Sequence, residues 1–163
     1  MASSHNSNGK KFQVRNSKIQ GSGAFALRRI RKGARVIEYT GERISVEEET
    51  KRYDDESMDR HHTFLFSIDE QTTIDAAHGG NDARFINHSC EPNCEAVNED
   101  GHIYIEAIRN IQPGVELTYD YGFEHEGRIT QELMERYPCH CGSKKCRGTI
   151  LKLKSPKRRR KRS

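Results

Sequence analysis

The chain has 163 residues, enough for one domain with a modest core, and its 33% hydrophobic and 32% charged residues with no tryptophan make it polar for a globular protein. No apolar run is long enough to span a membrane as a helix, and Met1-Ala-Ser-Ser-His-Asn lacks the apolar centre of a secretory signal, so the chain reads as intracellular, with its five cysteines reduced. The net charge of +4 is uneven: residues 154–163 hold seven Lys or Arg and no acid, and without them 21 basic residues stand against 24 acidic ones, a net −3.

Residues 1–9 are small and polar and read as a disordered N-terminus. Short strands are expected at Phe12–Arg15, Arg35–Tyr39, Thr63–Ile68, Thr72–Asp75, Ile103–Ala107 and Glu116–Tyr119, separated by Gly-rich turns. Asp100-Gly101, between Ala96-Val97 and Ile103-Tyr104-Ile105, is a hairpin signal. A helix is expected over Ser45–Asp59, with Ser45 as cap and Glu48 completing a capping box. A second short helix is expected over Thr130–Arg136, stopped by Pro138. Many short strands and few helices make the domain mainly β. The tail at 154–163 reads as a nuclear-import signal or nucleic-acid contact, or else as a solvated basic end.

Three groups of residues carry chemistry. Cys139, Cys141 and Cys146 lie within eight residues, in a segment too polar to fold alone, and a fourth thiol would complete a structural zinc site. Both Cys90 and Cys94 are upstream, and spacing alone does not choose between them. The loop Arg84-Phe-Ile-Asn-His-Ser89 puts a carboxamide beside an imidazole, a pair suited either to a polar ligand or to a locally bonded turn. On the strand end Glu116–Tyr121, alternation projects Tyr119 and Tyr121 to one face, as an aromatic channel or as ordinary half-buried sheet tyrosines. Gly21-Ser-Gly-Ala-Phe25 allows close backbone approach to a ligand, a weak signal alone.

Taken together, Gly21–Phe25, Glu38-Tyr-Thr-Gly-Glu42, Asp75, the run Asn81–Cys94 (Asn-Asp-Ala-Arg-Phe-Ile-Asn-His-Ser-Cys-Glu-Pro-Asn-Cys), Glu116–Tyr121 and Cys139-x-Cys-x4-Cys146 resemble, in order, a SET-domain protein-lysine methyltransferase with a post-SET zinc motif, of the mixed-lineage-leukaemia/Set-one flavour. The resemblance runs from about residue 12 to about residue 150. It implies a SET-domain fold of several small β-sheets, a knot-like C-terminal crossing, an insert helix and a zinc-bound post-SET loop. The implied organisation is a SET domain at 10–123 with its insert at 45–72, a connecting segment at 124–136, the post-SET motif at 137–153 and the basic tail at 154–163.

By the same resemblance, Ser22, Gly23, Ala24, Phe25, Arg84, Asn87, His88 and Tyr121 hold S-adenosylmethionine, and Tyr121 and Tyr119 are catalytic, Tyr119 also tuning the number of methyl groups. Phe64, Phe66 and Tyr119 line the substrate channel. Cys94, Cys139, Cys141 and Cys146 are the implied zinc ligands, leaving Cys90 free. The chain departs from close relatives at Phe64, where a tyrosine is usual, so one channel hydroxyl is expected to be missing.

The expected activity is transfer of a methyl group to a lysine of a basic protein, a histone tail or histone-like protein, and the acidic stretch 45–60 suits such a partner. The alternatives are a catalytically weak SET module that binds a partner or chromatin, and a small zinc-containing nucleic-acid-binding protein. The expected location is the nucleus in a eukaryotic cell, and otherwise the cytoplasm, the nucleoid or a host cell.

Overall fold

Residues 9–53, 64–125 and 127–153 are described by a computed structural model. Among the described residues there are ten strands and two short helices, with four strands before the first helix and six between the two. The strands are β1 (Phe12–Asn16), β2 (Ser22–Ala26), β3 (Arg35–Tyr39), β4 (Glu42–Ser45), β5 (Leu65–Ser67), β6 (Thr72–Asp75), β7 (Asn87–His88), β8 (Cys94–Glu99), β9 (His102–Ala107) and β10 (Glu116–Tyr119). The helices are α1 (Val46–Arg52) and α2 (Gln131–Arg136), and a 3-10 turn at Asp82–Phe85 leads into β7.

Two sheets form. The larger runs β1-β2-β10-β8-β9-β3, with β7 also on β10; the smaller is β4-β6-β5. The hairpin at Asp100-Gly101 forms as expected: β8 and β9 pair from Cys94↔Ala107 to Glu99↔His102, and both turn residues have positive φ, 51° and 83°. β10 pairs in parallel with β7, Thr118 opposite Asn87 and Tyr119 opposite His88. That pairing sets the C-terminal tyrosine strand directly against the Asn-His pair from about 30 residues upstream.

Strand β2 was not expected from its sequence, because Ser-Gly-Ala-Phe-Ala has no β-branched residue. Its small residues suit the space instead: Ala24 and Ala26 are buried between β1 and β10, beside Ile86, Ile105, Ile111 and Leu117 in the main core. A second core gathers Tyr39, Ile74, Ala76, Ala83 and Ile103, joining β3 and β9 of the larger sheet to β6 of the smaller.

Helix α1 is shorter than expected. Ser45 caps it, accepting from the Glu48 amide at 3.1 Å, but Glu48 does not reach back to the cap; its carboxylate pairs with Arg52 at 2.9 Å. The helix ends at Arg52 because Tyr53 turns to extended backbone and donates its hydroxyl to the buried Asp75 carboxylate at 2.7 Å. Arg52 reaches the same carboxylate at 3.2 Å and Glu42 at 2.8 Å, which ties α1 to the smaller sheet. Residues 54–59, expected to continue the helix, and the basic tail 154–163 lie outside the described residues. Helix α2 is capped by Thr130, as its sequence predicts.

After α2 the chain returns to the domain. The Pro138↔Thr149 and Phe123↔Leu151 bridges hold it, Thr149 Oγ1 donates to the Tyr137 carbonyl at 2.6 Å, and Thr149 and Leu151 are buried. No helix among the described residues is long and apolar enough to cross a membrane.

Candidate functional site

The 3-10 turn delivers Asn87 and His88 onto β10, and the tyrosine pair follows at once on that strand. Tyr119 is buried, and its ring lies 4.8 Å from that of Tyr121, tilted by 50°. Tyr121 donates its hydroxyl to the Ile86 carbonyl at 2.6 Å. Phe66 packs 6.4 Å from Tyr119 and 5.4 Å from Tyr39, so four aromatic rings line one interior. Phe64 meets Phe85 edge-on at 6.2 Å.

Tyr39 is a site residue that the sequence does not single out. It is almost fully buried and its hydroxyl has no hydrogen-bond partner among the described residues. The signal is its place at the end of Arg35-Val-Ile-Glu-Tyr39, where alternation points it inward. Burial raises the phenol of Tyr39 above its ordinary range, with Asp75 adding to the rise and Arg84 opposing it. Burial also raises Tyr119 and Tyr121, each helped by neighbouring phenols. All three are therefore neutral hydroxyls near pH 7 that can orient a ligand.

His88 is buried, and its ring is committed within the protein. Its Nδ1 accepts from the Tyr121 amide at 3.0 Å, which puts the ring proton on Nε2, 3.5 Å from Cys90 Sγ. Burial holds its pKa down to about 4, with Asp120 opposing and Arg147 reinforcing that shift. The imidazole is thus a neutral joint between the tyrosine strand and the thiol cluster, and what His88 can offer a ligand is its backbone.

Asn87 donates to the carbonyls of Gln20 and Ser22, at 3.2 and 3.1 Å, and to Glu116 Oε1 at 2.9 Å. It therefore holds the approach to β2 against β10. Of the residues expected around a cofactor, Ala24 is wholly buried and exposes no atom to a ligand, while the guanidinium of Arg84 lies over Phe85 at 4.7 Å and that of Arg15 over Phe25 at 4.3 Å.

The thiol cluster corrects one expectation. The sulfurs of Cys90, Cys139, Cys141 and Cys146 all lie within 4.8 Å of one another, and Cys94 is not among them. Cys94 is fully buried on β8, registered against Ala107 and Tyr119 in the main core, where burial pushes its thiol up to about 12. Cys90 sits on the loop after His88, with Sγ 3.7 Å from Cys139 Sγ. A tetrahedral site with metal–sulfur bonds of about 2.3 Å has sulfur–sulfur edges of about 3.8 Å, so these four fit zinc. Within the cluster burial raises the thiols of Cys90 and Cys139; it also raises that of Cys141, but there the amides of Cys90 and Ser143 and the neighbouring thiols lower it to about 6, so Cys141 is the thiol that gives up its proton first.

Asp120 and Arg147 are two further residues that their sequence context does not mark. Arg147 follows the last cluster cysteine, its amide donates to Cys90 Sγ at 3.3 Å, and its guanidinium grips Asp120. Of the acids in 45–60 expected to face a basic partner, those beyond Tyr53 lie outside the described residues; on α1, Glu48 is bound to Arg52, Glu49 accepts from Thr73 at 2.6 Å, and Glu47 is exposed.

This combination of small sheets, an Asn-His strand paired with a tyrosine strand and a four-thiol clip defines a known class. The SET domain family model matches residues 21–122, and the chain belongs to the SET-domain family. It is 44% identical over 138 residues to histone-lysine N-methyltransferase trithorax of Drosophila melanogaster, covering 80% of this chain and 3% of that protein. It is 41% identical over 141 residues to histone-lysine N-methyltransferase 2B of Homo sapiens, covering 82% and 5%. Against the H3 lysine-4-specific histone-lysine N-methyltransferase of Saccharomyces cerevisiae it is 43% identical over 141 residues, covering 82% and 12%. The chain thus spans only a small part of the length of the curated relatives it matches.

Proposed function

We propose that the chain is an S-adenosylmethionine-dependent protein-lysine N-methyltransferase acting on a basic protein of the histone class. The observation that carries this reading is the pairing of buried Tyr119 with half-buried Tyr121 beside Asn87, with the Tyr121 hydroxyl held on the Ile86 carbonyl. The names of the relatives and the exposed Glu47 on α1 support the substrate class.

When bound, S-adenosylmethionine supplies an electrophilic methyl group on a sulfonium. The backbone around Ser22–Phe25, with Asn87, would hold it, and the backbone of His88 would complete that wall. A lysine amine has an ordinary pKa of about 10.4 and attacks only when neutral; the low-dielectric aromatic interior lowers that value. Phe66, Tyr119 and Tyr121 exclude water and align the amine, and the Tyr121 and Tyr39 hydroxyls with the Ile86 carbonyl are the polar groups available to orient its lone pair. Catalysis is then chiefly positioning. The four thiols of Cys90, Cys139, Cys141 and Cys146 would hold a structural zinc ion and so fix the C-terminal loop against His88.

The test is methyl transfer from labelled S-adenosylmethionine to core histones and to a basic bacterial DNA-binding protein, with Tyr121→Phe alongside. Transfer that the mutation removes is the expected result. The phenylalanine at position 64 favours one other reading, a catalytically weak module; cofactor binding without transfer to either substrate would establish that instead.

A further inference from the structure

We infer that Glu116 is a positioning residue of the cofactor site: its carboxylate sets the orientation of the Asn87 amide, so that Asn87 Oδ1 is presented to a hydrogen-bond donor of the ligand. The inference rests on the cofactor reading above. The amino group of Asn87 faces three oxygens, those of Gln20, Ser22 and Glu116. A turned amide would put Oδ1 against two carbonyls and a carboxylate, none of which can donate, so chemistry rather than shape decides its orientation. The charged acceptor is the strongest of the three. Asn87 Oδ1 then receives no hydrogen bond among the described residues, and it can only accept.

The carboxylate is itself held. Ser17 donates to both its oxygens, at 2.7 and 3.0 Å, and Asn93 clamps the strand by donating to the Glu116 carbonyl at 2.8 Å and accepting from the Thr118 amide at 2.9 Å. Space for it is made by Gly23: a Cβ there would lie 2.2 Å from Glu116 Oε1 and 2.9 Å from Ser17 Cβ. The second glycine of Gly21-Ser-Gly23 thus admits Glu116, a role distinct from close approach to a ligand. Besides the two hydroxyls of its ribose, S-adenosylmethionine carries two N–H donors, the α-ammonium group and the 6-amino group of the adenine, and it is one of these that the inference assigns to Asn87 Oδ1. Both share the same chemistry, an N–H pointing at a neutral oxygen.

Calorimetric titration tests this with S-adenosylhomocysteine, its analogue lacking the α-amino group, and its analogue with oxygen in place of the 6-amino group. The proteins are wild type, Glu116→Ala, Glu116→Gln and Ser17→Ala, each first shown to unfold cooperatively. Glu116→Ala is expected to weaken S-adenosylhomocysteine by at least about tenfold, while Glu116→Gln, whose carbonyl still accepts from Asn87, stays within about threefold of wild type. The alanine penalty should vanish for one analogue, which names the donor. An equal penalty on all three ligands, or a glutamine variant as weak as alanine, overturns the inference, because simple misfolding or charge attraction would then suffice. If Glu116→Ala does not fold, Ser17→Ala stands in its place, with an expected loss of about threefold. If wild type binds none of the ligands, the cofactor reading fails, and NMR still decides the positioning role: exchange of the Asn87 amide hydrogens should be faster in Glu116→Ala or Ser17→Ala, and unchanged exchange overturns it.

Discussion

Arg147 grips Asp120 with both ends of its guanidinium, at 2.7 and 3.1 Å, and so links the thiol cluster to the residue between Tyr119 and Tyr121. A third bond runs to the Leu151 carbonyl at 3.3 Å, and Asp120 Oδ1 lies 3.6 Å from His88 Nδ1. The C-terminal loop, the tyrosine strand and the Asn-His strand therefore share one polar joint.

Breaking that joint should cost activity more than stability. The two side chains are 23% and 39% exposed, so solvent screens the pair and Arg147→Ala should lower the unfolding free energy by only about 1 kcal/mol. Methyl transfer should fall by about tenfold or more, because Asp120 and Tyr121 lose their anchor. Arg147→Lys should not restore it, since a point charge does not reproduce the two-pronged contact. Chemical denaturation and steady-state rates on the same variants check both halves; a rate loss no larger than the stability loss explains would refute the idea.

The thiol assignment separates two cysteines four residues apart. Cys90→Ala should abolish stoichiometric zinc binding and lower the melting temperature steeply, as a strong chelator should on the wild type. Cys94→Ala should keep one zinc per chain and cost about 1–2 kcal/mol, the loss of a small buried side chain. Zinc content by atomic emission after gel filtration decides it. Loss of zinc from Cys94→Ala with retention in Cys90→Ala would reverse the assignment.

A buried hydroxyl without a partner destabilises a fold by about 1–3 kcal/mol unless a ligand uses it. Tyr39→Phe should therefore leave the free protein as stable as wild type or more stable by about 1 kcal/mol, while slowing methyl transfer or shifting its product distribution. Phe64→Tyr would add a phenol just before β5. Mass spectrometry of the product and thermal unfolding measure the two effects; a clearly destabilised Tyr39→Phe would mean that the hydroxyl is satisfied within the protein.

The phenols of Tyr39, Tyr119 and Tyr121 also set an alkaline limit. Burial raises Tyr39, Tyr119 and Tyr121 above the unfolded value of about 10, so the folded chain keeps protons that the unfolded chain releases. The stability they contribute is fully present below about pH 10 and is lost as pH rises beyond it, by about 1.4 kcal/mol per pH unit for each phenol. Urea unfolding between about pH 8 and 11 should show this slope, and it should shrink in Tyr39→Phe. The transfer rate should rise with pH as substrate lysine loses its proton, without a falling limb from Tyr121 near about pH 10.

Short-range features are legible in the amino-acid sequence by itself. The Asp100-Gly101 hairpin, the Ser45 and Thr130 caps, and the neighbouring thiols Cys139, Cys141 and Cys146 each depend on residues a few positions apart, whose energetics are local. The motif order also points to the family that the domain match bears out. What needs the folded chain is every choice between residues distant in sequence. Cys90 and Cys94 look alike in the chain, but strand register drives Cys94 into the core and leaves Cys90 on a loop facing the C-terminal thiols. β2 has poor strand propensity and exists because only alanines and a glycine fit between β1 and β10. Glu116, Asp120 and Arg147 are ordinary charged residues until packing brings them to Asn87 and to one another. Desolvation and close contact across the sheet assign those roles, and both depend on which segments the fold makes neighbours.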